Sequence, residues 1–180
     1  MGQAKRKREQ GGRISHCRSC TYCCVLPAIG PLDKPMYRAC SHLKDRGCGI
    51  FGQPERPAAC LAYRCAYLEA RETDSPEKNK IPHPLEAGAY FHRDPVENAI
   101  VLFVDPARPE IWKMSIIPDL LRPHIESGTV LVIIDRGRQL LVKSASILDE
   151  ILKRDFVAFA NTEGRPLDHS AFAEEWKEPS

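Results

Sequence analysis

Cysteine stands at positions 17, 20, 23, 24, 40, 48, 60 and 65, and nowhere outside that stretch of 49 residues. A chain that uses cysteine only as a small buried hydrophobe scatters it among its apolar runs. Here it is concentrated where Gly, Pro and Arg are dense and long apolar runs are missing. Such a segment buries too little apolar surface to hold itself, so thiolate–metal bonds or disulfides must staple it. The compartment decides between them. Lys5-Arg6-Lys7-Arg8 resembles the basic opening of a signal peptide, but residues 9–16 are mostly polar or Gly and supply no apolar core, so export is not supported. In a reducing cytosol, clustered cysteine reads as metal-binding ahead of a disulfide framework or redox pairs. The expectation is a cytoplasmic protein whose partner is a metal ion or cluster: zinc, iron or an iron–sulfur cluster.

Cys17, Cys20 and Cys23 follow one another at steps of three, and each two-residue spacer can loop around one corner of an ion or cluster. Cys24 carries more information. Neighbouring side chains in an extended or turn segment point apart, so Cys23 and Cys24 face two centres, or one of them is structural. Cys40, Cys48, Cys60 and Cys65 complete eight thiols, enough for two four-thiolate centres or for one cluster and one zinc. His16 and His42 are further candidates at a corner, with a supporting or surface imidazole the preferred reading of each. All-thiolate sites serve zinc and iron–sulfur clusters alike, so the donor set leaves the metal open.

The totals exclude other classes. The 180 residues are 43% hydrophobic and 28% charged, with net charge +2, the balance of an ordinary soluble chain. The longest apolar run, Ala99 to Val104, is far too short to span a bilayer. Residues 1–13 hold five cations against Glu9, so that segment carries +4 and the remainder −2. A basic tail can touch nucleic acid or anionic lipid, but a solvated tail is the preferred reading. A zinc-ribbon nucleic-acid binder places basic and aromatic residues between its ligands. Arg18, Tyr22, Arg38, Lys44 and Arg46 are no more than a surface normally holds, so nucleic acid is not an expected partner.

The elements that position these thiols divide the chain as 1–13, a basic flexible tail; 14–71, the cysteine module; 72–84, a polar, Pro-rich linker; 85–160, a small α+β half; and 161–180, a tail. The fold class is α+β. Pro27, Gly30-Pro31, Pro35, Gly47, Gly49 and Arg56-Pro57 break the module into loops and short helices. Ala58 to Arg71 is its one long helix by pattern, with Pro57 suited to the first turn. Ala99 to Val104 reads as a buried strand. Pro109 to Ser127 carries helical spacing that Pro118 and Pro123 should break or kink, with Gly128 as cap. Val130–Ile134 and Leu140–Val142 form a hairpin about Asp135-Arg136-Gly137-Arg138. Ser146 to Asp149 has capping-box spacing and opens a helix to about Arg154. Phe156 to Ala160 reads as a last strand.

Catalytic fingerprints fail on context. Gly47-Cys48-Gly49-Ile50-Phe51-Gly52 matches G-x-G-x-x-G by letter, but a dinucleotide loop needs a strand before it and a helix after it. Polar Lys44-Asp45-Arg46 precedes and Gln53-Pro54 follows, so its glycines serve to wrap backbone around Cys48. There is no Ser nucleophile elbow and no His-Glu-x-x-His. No strand precedes Cys17-x2-Cys20 to make it a thioredoxin-like pair.

Taken together, Cys17-x2-Cys20-x2-Cys23-Cys24, Leu32-Asp33-Lys34-Pro35, Cys40-Ser41-His42, Gly47-Cys48-Gly49-Ile50-Phe51, Arg56-Pro57-Ala58-Ala59-Cys60 and Tyr63-Arg64-Cys65 resemble the YkgJ-type cysteine-cluster proteins of bacteria, described as carrying a zinc- or iron-chelating CxxCxxCC domain. Residues 14–68 carry the likeness, and the Val130–Val142 hairpin is similar to the second half of longer members. The resemblance implies a metal-binding module and no settled reaction. Members of the family place a further Cys just after the Cys-x-His step, where this chain has Leu43. Flagellin lysine N-methylases are similar in cysteine pattern, which keeps a cluster-dependent transferase or oxidoreductase as an alternative, beside a zinc-ribbon-like adaptor to nucleic acid or protein.

Overall fold

The computed structural model describes residues 20–44, 47–51, 53–94 and 97–154. His16, Cys17, the two tails and the expected strand Phe156–Ala160 lie outside them. The fold is α+β, as the sequence implies.

Its frame is a four-stranded sheet of β3 (Ala89–Asp94), β4 (Ala99–Val104), β5 (Val130–Asp135) and β6 (Arg138–Val142), in that spatial order. β3–β4 and β5–β6 are antiparallel, and β4–β5 are parallel. Parallel neighbours need a long crossover. It holds a 3-10 turn (Ile111–Met114) and helix α5 (Ile117–Glu126). The β5–β6 hairpin closes through Arg136-Gly137, both at positive φ (47° and 74°), the geometry that matches the twist of a two-residue hairpin.

β4 reads as an unbroken apolar run because both faces of the sheet are covered. Strand side chains alternate, so the run splits between two cores. Ile100, Leu102 and Val104, with Leu131 and Ile133, pack under α5 and α6 (Ala145–Lys153), around Trp112, Leu121 and Leu148. Phe103 and Ile134, with Val101, Val132 and Tyr90 of β3, face the other way. There they meet Tyr22, Leu26, Met36, Tyr37, Tyr63 and two cysteines, Cys20 and Cys65. The cysteine module is therefore the lid of one sheet face.

Several expected boundaries move. Ala58–Arg71 is two helices, α2 (Ala58–Ala62) and α3 (Ala66–Glu72), parted where Tyr63 and Cys65 take extended backbone. That break lets Tyr63 and Cys65 turn onto the sheet core. Pro118 opens α5 instead of breaking it, since the first turn needs no N–H. Pro123 is carried inside α5, and the interruption falls at Ser115-Ile116. The cap of α6 is Ser144, whose Oγ accepts from Ile147 N at 3.4 Å, rather than Ser146. Strand β3 was not expected.

Candidate metal centre: seven thiols around one cavity

The module is built from pieces too short to stand alone. Helix α1 (Tyr22–Val25) has no side-chain cap, and β1 (Leu43–Lys44) and β2 (Gly47–Cys48) pair over two residues each. Isolated helices and hairpins of this size are not stable in water. Packing and long-range hydrogen bonds hold α1. Tyr22 is buried, and its hydroxyl donates to Asp105 Oδ2 at 2.6 Å while accepting from the Arg108 guanidinium. Arg108 in turn donates to Leu85 O at 2.7 Å. Helix α1 is thereby fastened to the end of β4.

From this anchor the thiols are set in place. Cys20, Cys23 and Cys24 come from α1 and its approach. Cys40 is buried, and its N–H donates to Cys24 O at 2.9 Å. Cys48 sits on β2 opposite Leu43, so the residue at the family's extra cysteine position is a half-buried hairpin partner. Gly49 permits this close turn: its N–H donates to His42 O at 2.7 Å, and a Cβ there would come within 3.0 Å of that carbonyl. Cys60 comes from α2, and Cys65 precedes α3. All seven carry free thiols, and all seven line one cavity of about 480 Å³. His42 is half-buried, engages the hairpin through its carbonyl, and is not among the residues lining that cavity.

Among the described residues, no three Cys, His, Asp or Glu side chains already surround one point at ligand distance. The sulfurs stand around a shared space, and χ1 is the one side-chain torsion by which each cysteine can approach it. Donor chemistry and setting both fit a thiophilic ion. Lys34 is buried, with Nζ donating to Val25 O and Pro35 O at 3.0 Å each and to Pro27 O. Burial pulls this ammonium down to about 8, against the opposing pull of Cys40, Cys24, Cys23 and Cys60. Arg56 lies over the Phe51 ring at 4.6 Å, and its buried Nε has no hydrogen-bond partner. Two cations beside the thiols are what a centre that becomes anionic on losing their protons requires.

The thiols themselves are unequal. Burial pushes Cys20 up to about 11, helped by the charges of Cys65 and Cys24. Burial also raises Cys48, Cys60 and Cys65. Cys23 opens to solvent at the rim, yet its sulfur lies among the others. It donates to Cys24 and holds its own proton, while Cys24 is the readily ionised member, favoured by that bond and by Arg56 and Lys34. Metal binding must expel the remaining protons.

Aromatic residues close the sheet side, and the cysteine pattern gave no hint of them. Tyr63 stacks edge-on to Tyr90 with ring centres 6.2 Å apart, and Tyr90 lies flat on Phe103 at 5.3 Å. The Tyr63 hydroxyl meets His92 Nδ1 at 3.2 Å. Tyr90 is 3% exposed, and its Oη makes no hydrogen bond of full geometry, with only the Tyr63 hydroxyl in looser reach. A buried hydroxyl so weakly satisfied is costly, and Tyr90 lies on the wall of a cavity lined by thiols. The signal for these residues was the alternation Tyr90, His92 on β3.

Comparison with known proteins is local. The chain is similar to UPF0153 protein PA1578.1 of Pseudomonas aeruginosa, 44% identical over 52 residues, covering 24% of this chain and 62% of that protein. UPF0153 is the YkgJ-type family, so the likeness falls in the group the cysteine spacing resembles. No family model matches the chain, and no solved structure matches it.

Proposed function

We propose that this is a metal-binding protein of a reducing compartment, the cytoplasm, which coordinates zinc or iron, the latter alone or within an iron–sulfur cluster, through its clustered cysteine thiolates. The observation that carries this reading is the convergence of seven free thiols, drawn from five separate chain segments, on one cavity. A bound ion ties those segments together and supplies folding free energy of order 10 kcal/mol, enough to replace the core this stretch lacks. The chain's own residues do the rest. Lys34 and Arg56 offset thiolate charge, the apolar wall excludes water, and the Tyr90 hydroxyl is a donor available to a thiolate sulfur. The local likeness to a UPF0153 protein supports the same reading.

The test is elemental analysis of protein purified without oxygen or chelator. Zinc or iron in stoichiometric amount is expected, with absorption near roughly 400 nm if the iron is in a cluster. Protein that never retains a thiophilic metal overturns it. One observation favours a second reading, a cluster-dependent enzyme: the cavity falls in the roughly 300–1,000 Å³ range of small-molecule pockets and exceeds what an ion alone needs. Saturable binding of a small organic molecule by the metal-loaded protein is its test.

A further inference from the structure

Resting on the metal-binding reading above, we infer that Lys34 is a positioning residue of the metal site: its ammonium is the internal core of the loop between Leu26 and Tyr37, and that loop is the outer wall that governs how the metal enters and leaves.

The loop is a compact excursion of the Ω type. Tyr37 N donates to Leu26 O at 3.0 Å and shuts its neck. Both ends are sunk in the sheet-facing core, with Leu26 buried in it and Met36 and Tyr37 packed against it. Between those ends, no apolar side chain of residues 27–35 belongs to either core. Every residue from Pro27 to Leu32 nevertheless lines the thiol cavity, and Gly30 and Pro31 are exposed, so this stretch stands between the sulfurs and solvent. Its backbone is tied to itself. Ile29 N donates to Lys34 O at 2.9 Å, Lys34 N to Ile29 O at 3.2 Å, and Asp33 N to Gly30 O at 2.9 Å. Among the described residues, the hydrogen bonds of 27–35 all run within 25–35.

What fills the loop is a charge. Lys34 is only 6% exposed, and a buried ammonium persists only where its donors are met. Its Nζ donates to Val25 O and Pro35 O at 3.0 Å each and to Pro27 O, so one group draws together the entry, the turn and the exit of the loop. An ammonium has three donors, and these carbonyls take all of them. None is left for a sulfur. Lys34 therefore reaches the thiols through space, Cys40 and Cys24 foremost, and through the wall it holds in shape. A methionine at this position fills similar space but leaves the three carbonyls without this donor.

The experiment compares full-length wild type, Lys34→Met and Lys34→Arg, all purified without oxygen. Metal-free samples are treated with N-ethylmaleimide, an uncharged thiol reagent, and the initial alkylation of Cys40 is followed by peptide mass spectrometry. Zinc-loaded samples are mixed with excess chromophoric chelator, and zinc transfer is timed. Losing charge-assisted bonds to the loop carbonyls lets the wall open, so Lys34→Met should raise both rates about tenfold or more. Lys34→Arg keeps the charge and the donors and should stay within about threefold of wild type. A lost cation without an opened wall disfavours thiolate and slows alkylation. Cys40 alkylation that is unchanged or slower in Lys34→Met therefore overturns the proposal, as does zinc transfer at the wild-type rate, or Lys34→Arg behaving like Lys34→Met. Hydrogen exchange separates a local effect from unfolding: faster exchange confined to residues 26–37 supports the wall, and loss of protection spreading to Ala66–Glu72 overturns it. Wild type that never binds zinc or iron overturns the metal-binding reading itself, while the maleimide rates still decide whether Lys34 holds the wall.

Discussion

Tyr22→Phe removes one oxygen atom and tests how the cysteine module is fastened to the sheet. The ring stays, still 6.4 Å from Tyr90, so apolar packing is unchanged. What is lost is the donor to Asp105 and the acceptor for Arg108. A hydrogen bond to a charged partner contributes about 1.5–3 kcal/mol. Asp105 keeps two other donors, Ala107 N at 3.0 Å and Arg108 Nε at 3.1 Å, so its charge is not stranded and the lower half of that range applies. At about 2 kcal/mol and an m-value of roughly 2 kcal/mol/M, the urea midpoint should fall by about 1 M with its slope unchanged. The fluorescence of Trp112, buried under α5, reports the transition. pH supplies a second arm. Burial works against the Asp105 charge, but Tyr22, Ala107 and Arg108 outweigh it and hold the carboxyl below its ordinary value. A carboxylate with depressed pKa stabilises the fold above its unfolded value of about 3.9, and that contribution fades as pH falls through the folded one. The substitution should therefore matter most at neutral pH and progressively less below about 4. An unchanged midpoint at pH 7, or a destabilisation that persists undiminished at acid pH, refutes the reasoning.

Other consequences can be checked separately. Tyr90→Phe deletes a buried hydroxyl that makes no well-formed hydrogen bond, so the metal-free protein should lose little stability, while metal affinity measured by chelator competition should fall severalfold if that hydroxyl serves a thiolate. Ser144→Ala removes the cap of α6 and should cost about 1 kcal/mol in denaturant unfolding, whereas Ser146→Ala should cost much less. Gly88→Ala places a side chain at φ 64°, with its Cβ 3.2 Å from both Arg108 O and Ile111 Cβ; a loss of more than about 1 kcal/mol is expected by the same measurement.

The sequence revealed the sheet half better than the module. The β-branched runs of β4 and β5 and the Arg136-Gly137 turn are local signals, and the strands form where those signals place them. β3 escaped because Ala89-Tyr90-Phe91-His92 mixes small, aromatic and titratable residues, and only its long-range pairing with β4 makes it a strand. The break between α2 and α3 is likewise tertiary: no Gly or Pro marks it, and Tyr63 and Cys65 leave the helix to reach the sheet core. Cysteine spacing brought out the thiols. It could not bring out Tyr63, Tyr90, His92, Lys34 or Arg56, whose relevance depends on which face of which element they occupy. For His42 the spacing left a corner of the site possible but favoured a supporting or surface imidazole, and it is not among the residues lining the cavity.

Limited trypsin digestion, with and without the metal, tests the central claim most directly. Arg38 and Lys44 are exposed, both within the segment of two-residue strands and short turns that has little else to hold it. Protein purified without oxygen should contain zinc or iron and resist cleavage at those sites. Removing the metal by chelation should open them while the Ala89–Lys153 half stays intact. Protein that proves metal-free as isolated, yet protects Arg38 and Lys44 just as well, contradicts the account.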